Sequence, residues 1–280
     1  MDGDLRRALE AALALQYGWG ADEALDDTPH DRRAAAPPQA RAAAPAGGAM
    51  GGRATGALAE PARAAPPPAA AGGAVAEAEA LAAAASDLEA LRAAIAGFGG
   101  LALRDTATNL VFADGNPGAP VMLIGEAPGA EEDREGKPFV GASGRLLDRM
   151  LASIGLDRNG SGWGSFYITN IIAWRPPGNR NPTDSEVALS LPFIRRHIAL
   201  ARPKVVLLLG AVAVRSLTGA REGITRLRGR WLDLTVDGQG SVPALATLHP
   251  AYLLRNPGAK KDAWADLIAL RRRIEEMRQH

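Results

Sequence analysis

Four apolar, β-rich runs, Val121–Ile124, Phe166–Ile172, Lys204–Leu209 and Ala244–Leu248, alternate with long stretches of helical periodicity, and this alternation leaves few folds open to the chain. The helical stretches are Gly144–Ile154, Ser185–Ala201 and Ala211–Leu217, and Lys260–Gln279 follows with Trp264, Leu267, Leu270 and Ile274 as an apolar stripe. Strands that alternate with helices, with no hairpin turn signal between them, pair in parallel through βαβ crossovers. The expected architecture is α/β, three layers α/β/α around a central, mostly parallel four-stranded sheet. In such sheets a ligand binds beyond the carboxyl ends of the strands. Residues at those ends are therefore the first candidates for function.

Upstream of the sheet the composition changes. Residues 5–16 place Leu5, Leu9, Ala12, Leu13 and Leu15 at near-helical spacing, so 1–31 reads as a helical segment with room for a protein partner. Residues 32–74 are Ala, Pro, Gly and Arg with almost no large apolar side chains, a composition that cannot offset the entropy of folding and reads as a disordered linker. Residues 75–96, with Leu81, Leu88, Leu91 and Ile95 on one face, read as a helix that ends at Gly97 and leads a compact domain spanning 75–280. Charge is uneven: residues 201–280 hold fourteen Lys/Arg against seven Asp/Glu, whereas residues 1–30 hold two Arg against seven acids. A basic second half suits a polyanionic partner. No apolar run approaches membrane-spanning length, and the charged N-terminal stretch makes a poor secretory signal, so the expectation is a cytoplasmic monomer without a membrane partner. Cysteine is absent, which excludes disulfides, thiolate metal sites and cysteine nucleophiles.

Three strand ends carry chemistry. The first runs into Gly125-Glu126-Ala127-Pro128-Gly129, then an acidic cluster with Glu132, then Pro138-Phe139. Glycine and proline make a tight loop whose amides can approach a ligand, a carboxylate there can orient water, and Phe139 offers a flat face for a base. The second ends in Asn170, whose amide combines donor and acceptor and so can pair with N3–H and O4 of a pyrimidine. Arg175 and Arg180 follow as candidate phosphate contacts. The last leads into His249-Pro250-Ala251-Tyr252-Leu253-Leu254-Arg255. A neutral His249 can donate to an oxygen that gathers charge in a transition state, Leu253 and Leu254 can wedge into a base stack, and Arg255 can lie near the backbone. Taken singly, each motif also has a bland reading as a turn, a cap or a solvated face. No GxxxxGK[ST] loop or strand-linked GxGxxG points instead to nucleotide binding.

Taken in order, the GEAPG loop, the PF pair, the strand-closing Asn and HPAYLLR resemble the uracil-DNA glycosylase superfamily, most closely its family 4, over about residues 98–275. The resemblance implies a hydrolase that cuts the N-glycosidic bond of deoxyuridine in DNA, and the absence of cysteine makes a metal-free one the expectation. It implies that the loop Gly125–Gly129 positions the hydrolytic water, that Phe139 stacks on uracil, that Asn170 reads its edge and that His249 stabilises the uracil anion. In the best-known branch an aspartate stands where Ala127 is and a tyrosine where Gly129 is. A different carboxylate must then assist, either Glu126 or Glu132. Family 4 proteins usually hold an iron–sulfur cluster, whose cysteine positions correspond here to Phe98, Leu101, Trp174 and Ser190. The side chains of Phe, Leu and Trp cannot ligate iron, so no cofactor is expected and an apolar plug takes the cluster's place. Two alternatives accompany the glycosylase reading: a wider base range including hypoxanthine or xanthine, and a nucleic-acid-binding relative without turnover.

Overall fold

The computed structural model describes residues 68–279. The expected N-terminal helix and most of the expected linker lie outside the described residues. Helix α1, Pro68–Ala84, begins within the stretch read as linker, and the single helix expected to end at Gly97 is two. After a break at residues 85–87, Asp87 caps α2, Leu88–Gly97, accepting a hydrogen bond from the Ala90 amide at 2.8 Å. An aspartate that can satisfy a free first-turn amide makes that restart favourable.

The sheet has six strands rather than four: β1 Asp114–Gly115, β2 Val121–Gly125, β3 Phe166–Asn170, β4 Val205–Leu209, β5 Trp231–Val236 and β6 Gly240–Thr247, in the order β1-β3-β2-β4-β6-β5. The four expected strands form the parallel centre, with β2 against both β3 and β4 and β4 against β6. Two antiparallel edges complete it, the short β1 on β3 and the hairpin partner β5 on β6. That hairpin corrects the expectation of none. Its first strand alternates exposed and buried positions, a weaker signal than the continuous apolar runs of the buried strands.

Along β2 successive side chains point to opposite faces. Met122 and Ile124 join one core with helices α1, α2, α5 (Asp184–Ala201) and α6 (Ala211–Thr218). Val121 and Leu123 join the other with α4 (Ala142–Ala152) and the C-terminal helix. A short helix, α3 (Ala130–Glu135), follows β2, and α7 (Ile224–Leu227) precedes the hairpin. Helix α8, Pro250–Arg255, follows β6, and α9, Lys260–Arg278, closes the chain with Leu267, Leu270 and Ile274 buried, as its stripe predicts. The result is the expected three-layer α/β/α arrangement. No helix among the described residues is long and apolar enough to cross a membrane.

Candidate active site

The carboxyl ends of β2, β3 and β6 open onto one cleft of about 380 Å³, lined by Glu126, Ala127, Pro128, Gly129, Glu132, Phe139, Asn170, Arg180, His249 and Arg255 among others. Ser143, Pro176, Asn179, Asn181 and Ala251 complete its wall. Ser143 and Asn181 carry no spacing signal that marks them in the sequence.

Gly125 ends β2 directly beside Asn170, its register partner on β3. A Cβ at Gly125 would lie 2.5 Å from Asn170 Oδ1 and 2.5 Å from Phe139 Cζ, so the two side chains meet over a position that only glycine leaves open. Asn170 is buried, and its Oδ1 is a buried oxygen without a hydrogen-bond partner. An unpaired buried acceptor is costly unless a ligand satisfies it.

Phe139 is buried with φ of 55°, left-handed backbone that an aromatic residue rarely adopts and that costs about 1–3 kcal/mol. Its ring lies 5.6 Å from the His249 ring at 34°. Two features make room for this geometry. A Cβ at Gly144 would fall 1.9 Å from the Phe139 carbonyl oxygen, so α4 can approach only through a glycine. Arg158, outside the cleft, donates to the carbonyls of Pro138 and Phe139, each at 3.0 Å.

His249 caps α8: its Nδ1 accepts a hydrogen bond from the Ala251 amide at 3.2 Å. In a neutral imidazole the other nitrogen, Nε2, then carries the proton, so the ring faces its surroundings as a donor. Burial, reinforced by the positive charge of Arg255 and opposed by Glu132, holds its pKa down to about 4. His249 is therefore neutral at pH 7. His197, stacked 4.4 Å from Phe112 and 2.9 Å from the Tyr167 hydroxyl, is also held neutral, its pKa lowered to about 3 by burial.

These depressed values predict a pH dependence of stability. Below the unfolded histidine value of about 6.5 the unfolded chain takes up protons that folded His197 and His249 refuse, so stability present above pH 6.5 is lost as pH falls toward 4. The His249 contribution to that loss is on the order of 3 kcal/mol by pH 4. Urea melts of wild type and His197→Gln between pH 4.5 and 7 should show the variant's slope reduced by about one proton; an unchanged slope would remove His197 from the account.

The two candidate carboxylates are in different situations. Glu132 is buried, with Oε1 accepting from the Val140 and Gly141 amides (3.1 and 2.9 Å) and Oε2 from the Gly129 amide (3.1 Å). It ties the loop 129–141 together and has its oxygens engaged. Glu126 carries no such ties; burial raises its pKa, and the charge of Arg215 opposes that rise. Between the two candidates left open by the sequence, Glu126 has the freer carboxylate.

Other expected contacts are redistributed. Leu253 is fully buried with Leu146, Leu248 and Ala263, so it cannot act as a wedge. The short helix α8 turns Pro250 and Leu253 inward, three residues apart, and leaves Tyr252 and Leu254 exposed (38% and 43%). Tyr252 is a candidate that the apolar-pair reading passed over. Arg180 is forked on Glu186, with Nη1 and Nη2 donating to the two carboxylate oxygens at 2.8 and 2.6 Å, although it still edges the cleft. Arg175 lies outside the cleft lining and donates to Asn179 Oδ1 at 2.7 Å.

Phe98, Leu101, Trp174 and Ser190, although far apart in the chain, gather around one small cavity with Phe193 and His197. All four are buried, and the residual space of about 20 Å³ admits about one water. Phe98 packs on Phe193 with ring centroids 5.3 Å apart, and the Ser190 hydroxyl donates to the Glu186 carbonyl at 2.9 Å. Three hydrocarbon or indole side chains and an engaged serine do not fit an iron–sulfur cluster.

A model of the uracil DNA glycosylase superfamily matches residues 112–268. The chain is 38% identical over 168 residues to the type-4 uracil-DNA glycosylase of Archaeoglobus fulgidus, covering 59% of this chain and 81% of the relative. It is 39% identical over 150 residues to the type-4 uracil-DNA glycosylase of Thermotoga maritima, covering 53% and 73%. With the type-4 uracil-DNA glycosylase of Sulfurisphaera tokodaii the identity is 36% over 169 residues, covering 59% and 74%.

Proposed function

Because the chain belongs to the uracil-DNA glycosylase superfamily, we propose that it hydrolyses the N-glycosidic bond of deoxyuridine in DNA, releasing uracil and leaving an abasic site. The observation that carries this reading is the convergence of Phe139, Asn170 and His249 on one cleft, with the Asn170 oxygen unpaired and His249 neutral. A flat ring, a donor–acceptor amide and a neutral donor meet three different demands of an everted uracil: its face, its N3/O4 edge and its O2.

In the proposed reaction the bond between C1′ and N1 breaks with its electron pair leaving on uracil. Charge gathers on O2, where the His249 N–H meets it, and the sugar develops oxocarbenium character. Glu126 orients a water toward C1′ and accepts its proton, a role for which a carboxylate with a raised pKa is better suited. Glu132 holds the loop in place. The protein performs this without an iron–sulfur cluster, the side chains at Phe98, Leu101, Trp174 and Ser190 packing the corresponding volume. Uracil-containing DNA meets the exposed edge formed by Tyr252, Leu254 and Arg255.

The test is release of free uracil from a labelled single-stranded oligonucleotide by protein purified without iron. Release supports the reading. Binding without release, from uracil- and hypoxanthine-containing DNA alike, would overturn it in favour of a binding protein. The two leucines of α8 should separate cleanly. Leu253→Ala is expected to lower stability by about 2–5 kcal/mol, whereas Leu254→Ala should leave the melting temperature within about a degree or two and weaken activity on duplex more than on single-stranded DNA. Equal effects of the two on melting would mean that α8 does not present the faces described.

A further inference from the structure

Arg158 lies in the loop between α4 and β3, and no motif marks it. Its side chain is only 14% exposed, and one guanidinium makes four hydrogen bonds. Nη1 donates to Asp114 (2.9 Å) and to the Pro138 carbonyl (3.0 Å). Nη2 donates to Asp148 (2.9 Å) and to the Phe139 carbonyl (3.0 Å). The group also lies 5.8 Å from the centre of the Phe166 ring. Two carboxylates and an aromatic face thus hold a fixed cation whose remaining donors grip two successive carbonyls.

The second of those carbonyls belongs to the residue with φ of 55°. Unassisted, an aromatic residue would relax out of that conformation, and its ring would swing with it. The Phe139 carbonyl is held from two sides, by the fork of Arg158 and by the backbone surface left bare at Gly144. The ring that results is the one packed 5.6 Å from His249 and against the open position at Gly125.

We infer that Arg158 is a positioning residue for the base pocket: it holds Phe139 in left-handed backbone and so fixes the ring that the base stacks on. The inference rests on the proposed glycosylase function for its kinetic consequence, but its structural core does not. Lysine at this position keeps the charge and loses the fork, because one ammonium cannot span both carbonyls and both carboxylates in a plane.

The test combines two readouts on wild type, Arg158→Ala, Arg158→Lys, Phe139→Ala and the double variant Arg158→Ala/Phe139→Ala. The first is the imidazole proton resonance of His249, assigned by its loss in His249→Ala, which senses the ring current of Phe139 and requires no activity. The second is single-turnover uracil release. We expect Arg158→Ala to move the His249 resonance as Phe139→Ala does and to slow release at least tenfold. We also expect the double variant to be no slower than Phe139→Ala, and Arg158→Lys to fall between wild type and Arg158→Ala. Losses that multiply in the double variant, or a His249 resonance unchanged in Arg158→Ala, would overturn the inference. If Arg158→Ala does not fold, Arg158→Lys decides by the same resonance, with a wild-type signal counting against the inference. If wild type releases no uracil, the proposed function falls while the resonance still judges the positioning.

Discussion

His249→Ala is expected to slow uracil release by about 10²–10³-fold, the usual consequence of removing one preorganised donor from a developing oxyanion. The imidazole is prepared for that work before any substrate arrives. Its Nδ1 is occupied by the Ala251 amide and burial keeps the ring neutral, so Nε2–H is aimed without a proton having to be taken up or a ring turned. The loss should fall on the chemical step in single-turnover assays and leave binding of undamaged oligonucleotide nearly unchanged. A drop of less than about threefold would remove His249 from the transition state and leave the helix cap as its only role.

Gly125→Ala is expected to be comparably damaging, with at least a 10²-fold loss, although alanine adds a single methyl group. That methyl would sit 2.5 Å from both Asn170 Oδ1 and Phe139 Cζ, closer than any real contact, so one or both must move. Neither is a flexible side chain free to yield. Asn170 is buried at a strand end, and Phe139 is gripped through its backbone on the other side. The same displacement should relax base choice, because an amide turned away from its edge-reading position no longer penalises a base with mismatched groups. The measurement is release of uracil and hypoxanthine by Gly125→Ala beside Asn170→Ala. Near-wild-type uracil release by Gly125→Ala would mean that the two side chains are not held together as described.

The six-stranded sheet shows where the pattern was easy to read and where it was faint. The four strands recognisable in the chain are those with an unbroken buried run: all of β2, β3 and β4, and the last four residues of β6. The two that were missed are edges: β1 is only two residues long, and β5 exposes alternate side chains. Likewise α1 and α2 share one apolar periodicity, and only the Asp87 cap, satisfied by a local hydrogen bond, divides them.

The sequence by itself determined the chemistry that can occur at the strand ends. Gly125, Glu126, Asn170 and His249 each follow or close an apolar run, Phe139 stands in the Gly- and Pro-containing loop beyond the first, and their donors, acceptors and flat faces are properties of the residues themselves. It also placed Phe98, Leu101, Trp174 and Ser190 as a set through resemblance, and the fold brings them to one cavity. Tertiary structure decided which of several similar groups is available. Glu126 and Glu132 are both carboxylates, but three backbone amides engage only the second. Leu253 and Leu254 are adjacent and identical, yet a turn of helix buries one against Leu146 and exposes the other. Arg158 carries no motif because its four partners come from three separate stretches of chain. Residue type sets what a group can do, whereas burial and the saturation of its hydrogen bonds, which depend on contacts distant in sequence, set whether it is free to do it.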